Sequence, residues 1–232
     1  MRRLVLWDID GTLIQGGPTA AIVFDGALER ALGTAPSGRV TMSGKTDPQI
    51  VREYLTLMDI DEADHHVPLV LKHLETELAA AADALATGGR VLPGVEAVLR
   101  RLDGTEGVLQ SVLTGNIAPN AVVKLTAFDL ERWLDLEVGA YGSDDADRRA
   151  LVPIAVGRAK ALRGAAFEPD EVWVIGDTAN DLACARAGQA RCLLVATGRS
   201  SRTELSRLGA DAVVEDLCAV DDIVALLTSD RV

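Results

Sequence analysis

The sequence predicts an α/β protein: a parallel sheet with helices on both faces, interrupted after its first strand by a block of helices. Three observations predict it. From residue 90 onward, short apolar runs alternate with helical patterns, as strand–helix–strand units of a parallel sheet do. One apolar run, "LVLWDIDGTL" (4–13), stands alone ahead of that alternation. Between the two, residues 16–89 carry helical periodicity and no convincing strand. The expected division is a discontinuous core, 1–15 with 90–232, and a helical unit of 16–89.

The elements follow in chain order. In "LVLWDIDGTL" four apolar residues run into two aspartates spaced two apart. Strand side chains alternate faces, so Asp8 and Asp10 start on the same side, where the strand gives way to Gly11. Two close carboxylates resist joint ionisation, so a cation or a useful proton is expected beside them. In the helical block, "AAIVFDGALERALG" and "DPQIVREYLTLM" are amphipathic segments, and "ADHHVPLVLKHLETELAAAADALA" supplies one or two more. "GGP" (16–18) and "TGG" (87–89) bracket the block like hinges. Then come a helix opened by proline, "PGVEAVLRRL" (93–102), and a strand ending in a glycine turn, "GVLQSVLTG" (107–115). "PNAVVKLTAF" (119–128) is a helix, and "LVPIAVGRAKALRG" (151–164) another, closed by Gly164. "EVWVIGD" (171–177) is a strand ending in a carboxylate, followed by the helix "TANDLACARAG" (178–188). "RCLLVATG" (191–198) and "DAVVED" (211–216) are strands, and 220–228 is a final helix.

Composition narrows the partners. A formal net charge of −12 argues against a nucleic-acid backbone, which needs a basic footprint. It leaves room for a small anion, which feels local charge more than the total. No apolar run nears the roughly 20 residues that cross a bilayer. "MRRLVLW" imitates the start of a signal peptide, but Asp8 ends its apolar run too early. The expectation is a cytoplasmic protein with no membrane partner, as a monomer or homodimer. Cys184, Cys192 and Cys218 form no CxxC pair and are expected as small buried apolar residues. His65, His66 and His73 lack zinc spacing.

In open α/β sheets, ligands bind beyond the carboxyl ends of the strands. Three strand ends here are polar: Asp8 with Asp10, then Thr114-Gly115-Asn116, then Asp177 with Asp181. A parallel sheet puts all three on one edge. Each alone is weak, since a DxD is often a turn and an aspartate before a helix is usually a cap. Together and in this order they are a strong signal.

Through "DIDGTL" (8–13), "LTGN" (113–116) and "GDTANDL" (176–182), the chain resembles the haloacid-dehalogenase superfamily, and within it the phosphoglycolate phosphatase-like enzymes with a helical C1-type cap. The resemblance implies a Rossmann-like core with residues 16–89 as the cap. It implies a phosphatase of a small phosphorylated metabolite that uses Mg²⁺ as cofactor. Asp8 would be the nucleophile and form an aspartyl-phosphate. Asp10 would be the general acid and then the base. Asp8, the Asp10 backbone carbonyl and Asp177 would hold the metal, with Asp181 one helical turn on joining directly or through water. Thr114 and Gly115, with Asn116, would grip phosphoryl oxygens.

The chain departs from the family's pattern where a lysine normally precedes a helix. "DDADRRALVPIAVGRA" (144–159) offers two arginines instead. Counting back from Pro153 selects Arg148, with Arg149 its neighbour and Lys160 too deep in the helix. An arginine can serve with forked geometry. In the cap, "MSGKTDPQI" (42–50) imitates a nucleotide P-loop, but the required glycine is Arg39. Lys45, with Thr46 beside it, is the expected substrate-anion contact; Thr46 or Asp47 also suits a helix cap ahead of Pro48. A phosphosugar mutase is the alternative, though "IQGG" after "DGTL" lacks the Asp or Ser usual in that branch. A non-catalytic phosphoaspartate receiver is a third reading, opposed by Asp10 and by the cap.

Overall fold

The computed structural model describes residues 2–229. The chain enters through β1 (Arg3–Trp7) and the short β2 (Ile14–Gln15). Four helices follow: α1 (Thr19–Leu32), α2 (Asp47–Leu57), α3 (Ala63–Ala80) and α4 (Ala82–Gly88). β3 (Arg90–Val91) returns the chain to the core, leading to α5 (Val95–Asp103), β4 (Val108–Thr114), α6 (Ala118–Thr126), β5 (Ala140–Tyr141) and α7 (Leu151–Arg163). The remainder is β6 (Val172–Gly176), α8 (Ala179–Ala187), β7 (Arg191–Val195), α9 (Arg202–Ser206), β8 (Ala212–Val214) and α10 (Val220–Thr228). No helix among the described residues is long and apolar enough to cross a membrane.

The six-stranded sheet runs β5-β4-β1-β6-β7-β8 with every pairing parallel. Period-two alternation splits its apolar residues between two layers. Val5, Trp7, Val112, Trp173 and Ile175 face α5, α6 and α10 in one core. Leu4, Leu6, Leu113, Val172 and Val174 face α7 and α8 in the other. A sheet covered on both faces needs continuous apolar strands, which is why "LVLW" and "VWVI" carry no polar residue. β1 lies between β4 and β6, and Trp7 pairs with both Val112 and Ile175. Asp8, Thr114 and Asp177 therefore emerge within two residues of one level on one edge.

The helical insert has its own core, in which Val23, Phe24 and Leu28 of α1 meet Ile50 and Tyr54 of α2 and Leu74 of α3. α1 ends where Gly33 takes a φ of 72°, and α7 where Gly164 takes 64°. β2 and β3 pair antiparallel, Ile14 with Val91 and Gln15 with Arg90, so the insert leaves and rejoins the core side by side. The glycines beyond this ribbon allow the two crossings to touch. A Cβ on Gly17, whose φ is 61°, would lie 2.4 Å from the Gly88 carbonyl.

The long apolar pattern at 63–86 resolves into two helices, broken at Ala81. β5 and α9 were not expected from the sequence: one has two residues, and the other, opened by a Ser201–Glu204 capping box, has five. Cys184 and Cys192 are buried, whereas Cys218 is exposed, contrary to expectation; all three are free. It sits in the loop before α10, where its backbone N–H donates to the Asp216 carboxylate.

Candidate active site

Asp8 extends β1 by one residue, its N–H bonded to the Ile175 carbonyl at 2.9 Å, and its side chain is buried. Opposite stands Arg148, in a short 3₁₀ turn (Arg148–Ala150) that leads into α7. Its Nη2 lies 3.1 Å from Asp8 Oδ1 and 2.5 Å from Asp181 Oδ1. Asp181 is fully buried at the third position of α8, and its Oδ2 accepts from the Thr178 N–H and hydroxyl at 3.0 and 2.6 Å. The helix cap is thus Thr178, and Asp181 completes a capping box. Arg149 turns outward to Asp147, and Lys160 is exposed on α7.

Asp177 sits between two glycines. A Cβ on Gly11 would meet its carboxylate at 2.6 Å, and one on Gly198 at 1.7 Å. Burial, then the charges of Asp8 and Asp181, push its carboxyl up to about 8. Burial raises Asp8 to about 6 against the opposing pull of Arg148. For Arg148, burial works against the charge, but Asp181 and Asp8 more than offset it and keep the guanidinium protonated. Carboxylate oxygens of Asp8, Asp177 and Asp181 all lie within 4.8 Å of one another. Three carboxylates face one cation, and the buried Oδ1 of Asp177 has no hydrogen-bond partner among the described residues. A hard divalent cation fits that donor set and that unmet acceptor.

The second strand end is tied to Asp10. Thr114 Oγ1 accepts from the Asn116 N–H at 3.3 Å and from its Nδ2 at 2.8 Å. Asn116 Nδ2 also donates to Asp10 Oδ2 at 2.9 Å. A residue that sequence reasoning missed completes the network: Lys124 Nζ reaches Asp10 Oδ2 at 2.6 Å and Asn116 Oδ1 at 2.7 Å. Burial works to raise the Asp10 pKa, but the Lys124 ammonium and the Asn116 amide outweigh it and hold the carboxyl below its usual range. The available signal was position: Lys124 falls on the face of α6 that buries Ala121 and Leu125.

The insert meets this edge through residues 43–47. A Cβ on Gly44 would lie 2.5 Å from Thr178 Oγ1, and one on Gly115 would lie 2.0 Å from the Lys45 carbonyl. The Asp47 N–H donates to the Gly115 carbonyl at 2.7 Å. Lys45 lines the pocket but is engaged by the carboxylate of Glu53. Thr46 corrects the expectation of a substrate contact. It is fully buried as the cap of α2, accepting from the Gln49 N–H and donating to the Ala146 carbonyl at 2.7 Å. No hydroxyl is left to turn toward a ligand. The three histidines lie on α3 and line no part of the pocket.

Asp47 is buried, with Oδ2 accepting from the Ile117 N–H at 2.9 Å. Burial pushes its carboxyl from 3.8 up to about 6, against the pull of Lys124 and of that N–H. A carboxyl that titrates higher in the folded chain than in the unfolded one favours folding when protonated. That advantage is full below pH 3.8 and gone once the pH has passed about 6. Asp47→Asn keeps an acceptor for Ile117 without the titration. Between pH 4 and 7 the wild type is expected to lose up to about 3 kcal/mol relative to this variant. Urea unfolding of both proteins at the two pH values measures it; parallel pH profiles would contradict it.

Asp8, Asp10, Thr114, Asn116, Lys124, Arg148 and Asp177 line a cavity of about 330 Å³, at the small end for ligand pockets. Comparison with known proteins agrees with the geometry. Residues 5–186 match the family model of the haloacid dehalogenase-like hydrolases. Phosphoglycolate phosphatase of Pseudomonas putida is 27% identical over 226 residues, covering 94% of this chain and 78% of that protein. The plasmid-borne phosphoglycolate phosphatase of Cupriavidus necator is 29% identical over 238 residues, covering 98% and 94%. Among solved structures, a hydrolase from Pseudomonas syringae superposes with a TM-score of 0.70 at 21% identity, covering 99% of this chain and 100% of its own. At that identity the likeness is one of fold.

Proposed function

This chain belongs to the haloacid dehalogenase-like hydrolase family, and on that footing we propose that it hydrolyses a small phosphoric monoester through a phosphorylated Asp8. The observation that carries the reading is the meeting of Asp8, Asp10, Arg148 and Asp177 at one sheet edge beneath the insert. In the first step an Asp8 oxygen attacks phosphorus, the ester P–O bond breaks, and Asp10 protonates the departing alkoxide. In the second, Asp10 takes a proton from water, whose oxygen attacks phosphorus. The bond to Asp8 then breaks, releasing phosphate and the free carboxylate.

Asp10 stands ionised beside Lys124 before substrate arrives. An entering phosphate dianion supplies the opposite bias, since a nearby like charge raises a carboxyl's proton affinity, and Asp10 takes up a proton from solvent as the substrate binds, the proton it then gives to the alkoxide. Arg148 offsets the repulsion between Asp8 and that dianion. Thr114, Gly115 and Asn116 orient the phosphoryl oxygens. Residues 16–89 act as the cap that closes over the edge. Mg²⁺, held by Asp8, Asp177 and the Asp10 backbone carbonyl with Asp181 behind them, would supply positive charge where the phosphoryl oxygens gather negative charge.

Phosphate release from a panel of monoesters, p-nitrophenyl phosphate included, tests the reading. Turnover is expected with Mg²⁺ and its loss on chelation, restored by Mg²⁺ alone. No release from any member in the presence of Mg²⁺ would defeat it.

A further inference from the structure

The cavity has two unlike halves. Its polar groups gather at the sheet edge: Asp8, Asp10, Asn116, Lys124, Arg148 and Asp177 from the core, with Ser43, Lys45 and Asp47 of the insert beside them. Its insert half is walled by α1 and α3, which contribute only apolar residues: Ala20, Val23 and Phe24 among those of the first, Leu74 and Leu78 of the second. Ile50 of α2 continues that wall. Val23, Phe24, Ile50, Leu74 and Leu78 are also members of the insert's own core, so the cavity reaches into apolar packing.

The cations of the lining are nearly all committed. Arg148 faces Asp8 and Asp181, Lys124 faces Asp10, and Lys45 faces Glu53. Arg199, exposed on the loop after β7, is the one lining cation without a carboxylate partner among the described residues, and it belongs to the core side. A carboxylate placed against α1 and α3 would lose its hydration and meet no charge on those helices, and the insert's lining cation, Lys45, already faces Glu53. A hydrocarbon placed there would leave water for an apolar surface.

We infer that the alcohol released by this site is uncharged and apolar over several carbon atoms, unlike the two-carbon carboxylate in the name of the curated relatives; the inference rests on the phosphatase reading above. The phosphoryl group sits at the sheet edge and the alcohol's carbon chain lies against α1, α2 and α3.

The test is kcat/KM by phosphate release along a series of n-alkyl phosphates from methyl to hexyl, beside phosphoglycolate and p-nitrophenyl phosphate. Alkyl leaving groups differ little in basicity, so chain length isolates binding. Each methylene is expected to raise kcat/KM about fourfold until the cavity is full. Butyl phosphate should exceed phosphoglycolate more than about tenfold. Release from p-nitrophenyl phosphate with a flat alkyl series, or with phosphoglycolate preferred, overturns the inference and leaves the phosphatase reading standing. Release from nothing overturns both. A phosphoglycolate preference that Arg199→Ala removes would assign recognition to the rim arginine and also overturn it. Ala20→Lys, half-exposed in the first turn of α1, places a cation on the wall without disturbing the core. It should lower hexyl phosphate and raise phosphoglycolate; an unchanged ratio between them counts against the inference.

Discussion

Asp8→Asn is expected to give a folded protein that turns over no phosphoric monoester. The amide keeps the size and shape of the carboxylate but cannot attack phosphorus, and Asp10 is held away by Lys124 and Asn116. Removal of a covalent nucleophile should cost at least about 10⁴-fold in kcat. Asp10→Asn should cost less, about 10²–10⁴-fold, because it removes proton transfer but not the attacking group. Folding should survive Asp8→Asn for a structural reason. The backbone bond from Asp8 to Ile175 is unaffected, and one charge leaves a crowd of carboxylates that pushes Asp177 up to about 8. Circular dichroism and phosphate release on the same preparation separate the two effects. Residual turnover above about one per cent of wild type would remove Asp8 from the role of nucleophile.

Arg148→Ala is expected to damage both activity and stability. Asp181 is fully buried, and without the guanidinium both it and Asp8 are left facing each other unneutralised. Stranding a buried charge in this way costs about 3–5 kcal/mol. Arg148→Lys should recover most of the loss. All the contacts of Arg148 to Asp8, Asp181 and the Leu113 carbonyl run through a single nitrogen, Nη2, while its buried Nε has no partner among the described residues. A lysine ammonium reaching that one point meets the same oxygens, so the arginine's fork is largely unused here. The lysine variant should fall within about tenfold of wild type in kcat/KM, and the alanine variant well below it. Arg149→Ala should change little, since that side chain is exposed and pairs with Asp147 at the surface. Equal losses in the alanine and lysine variants would show that fork geometry matters after all. A wild-type rate in Arg148→Ala would place the neutralising cation elsewhere.

The polar strand ends were legible because a parallel sheet brings its carboxyl edge together whatever the loops do. That shared edge was enough to gather Asp8, Thr114 and Asp177; the central place of β1, between β4 and β6, came from the structure. The choice of Arg148 over Arg149 could be read by counting from Pro153, since the start of α7 sets which residue turns inward. Lys124 could not be read this way. Its role depends on a long side chain crossing from α6 to the loop after β1, a distance no periodicity encodes. Thr46 was left between two readings because a hydroxyl beside a lysine suits an anion site and a helix cap equally; its burial and its bonds with Gln49 and Ala146 make it the cap of α2. The apolar wall of the cavity was hidden for a different reason: residues that pack a helical core and residues that line a pocket carry the same sequence pattern.

The paired strands β2 and β3 have a consequence for how such a protein can be altered. The chain leaves the sheet at Gln15 and is back beside it at Arg90, with the two residues in register. A segment whose ends lie one strand spacing apart, about 4.8 Å, can be lengthened, shortened or exchanged without asking the sheet to move. The carboxylates at the edge hang from β1, β6 and α8, none of which the spliced segment touches in sequence. A graft of another helical block between residues 15 and 90 is therefore expected to leave those carboxylates where they stand.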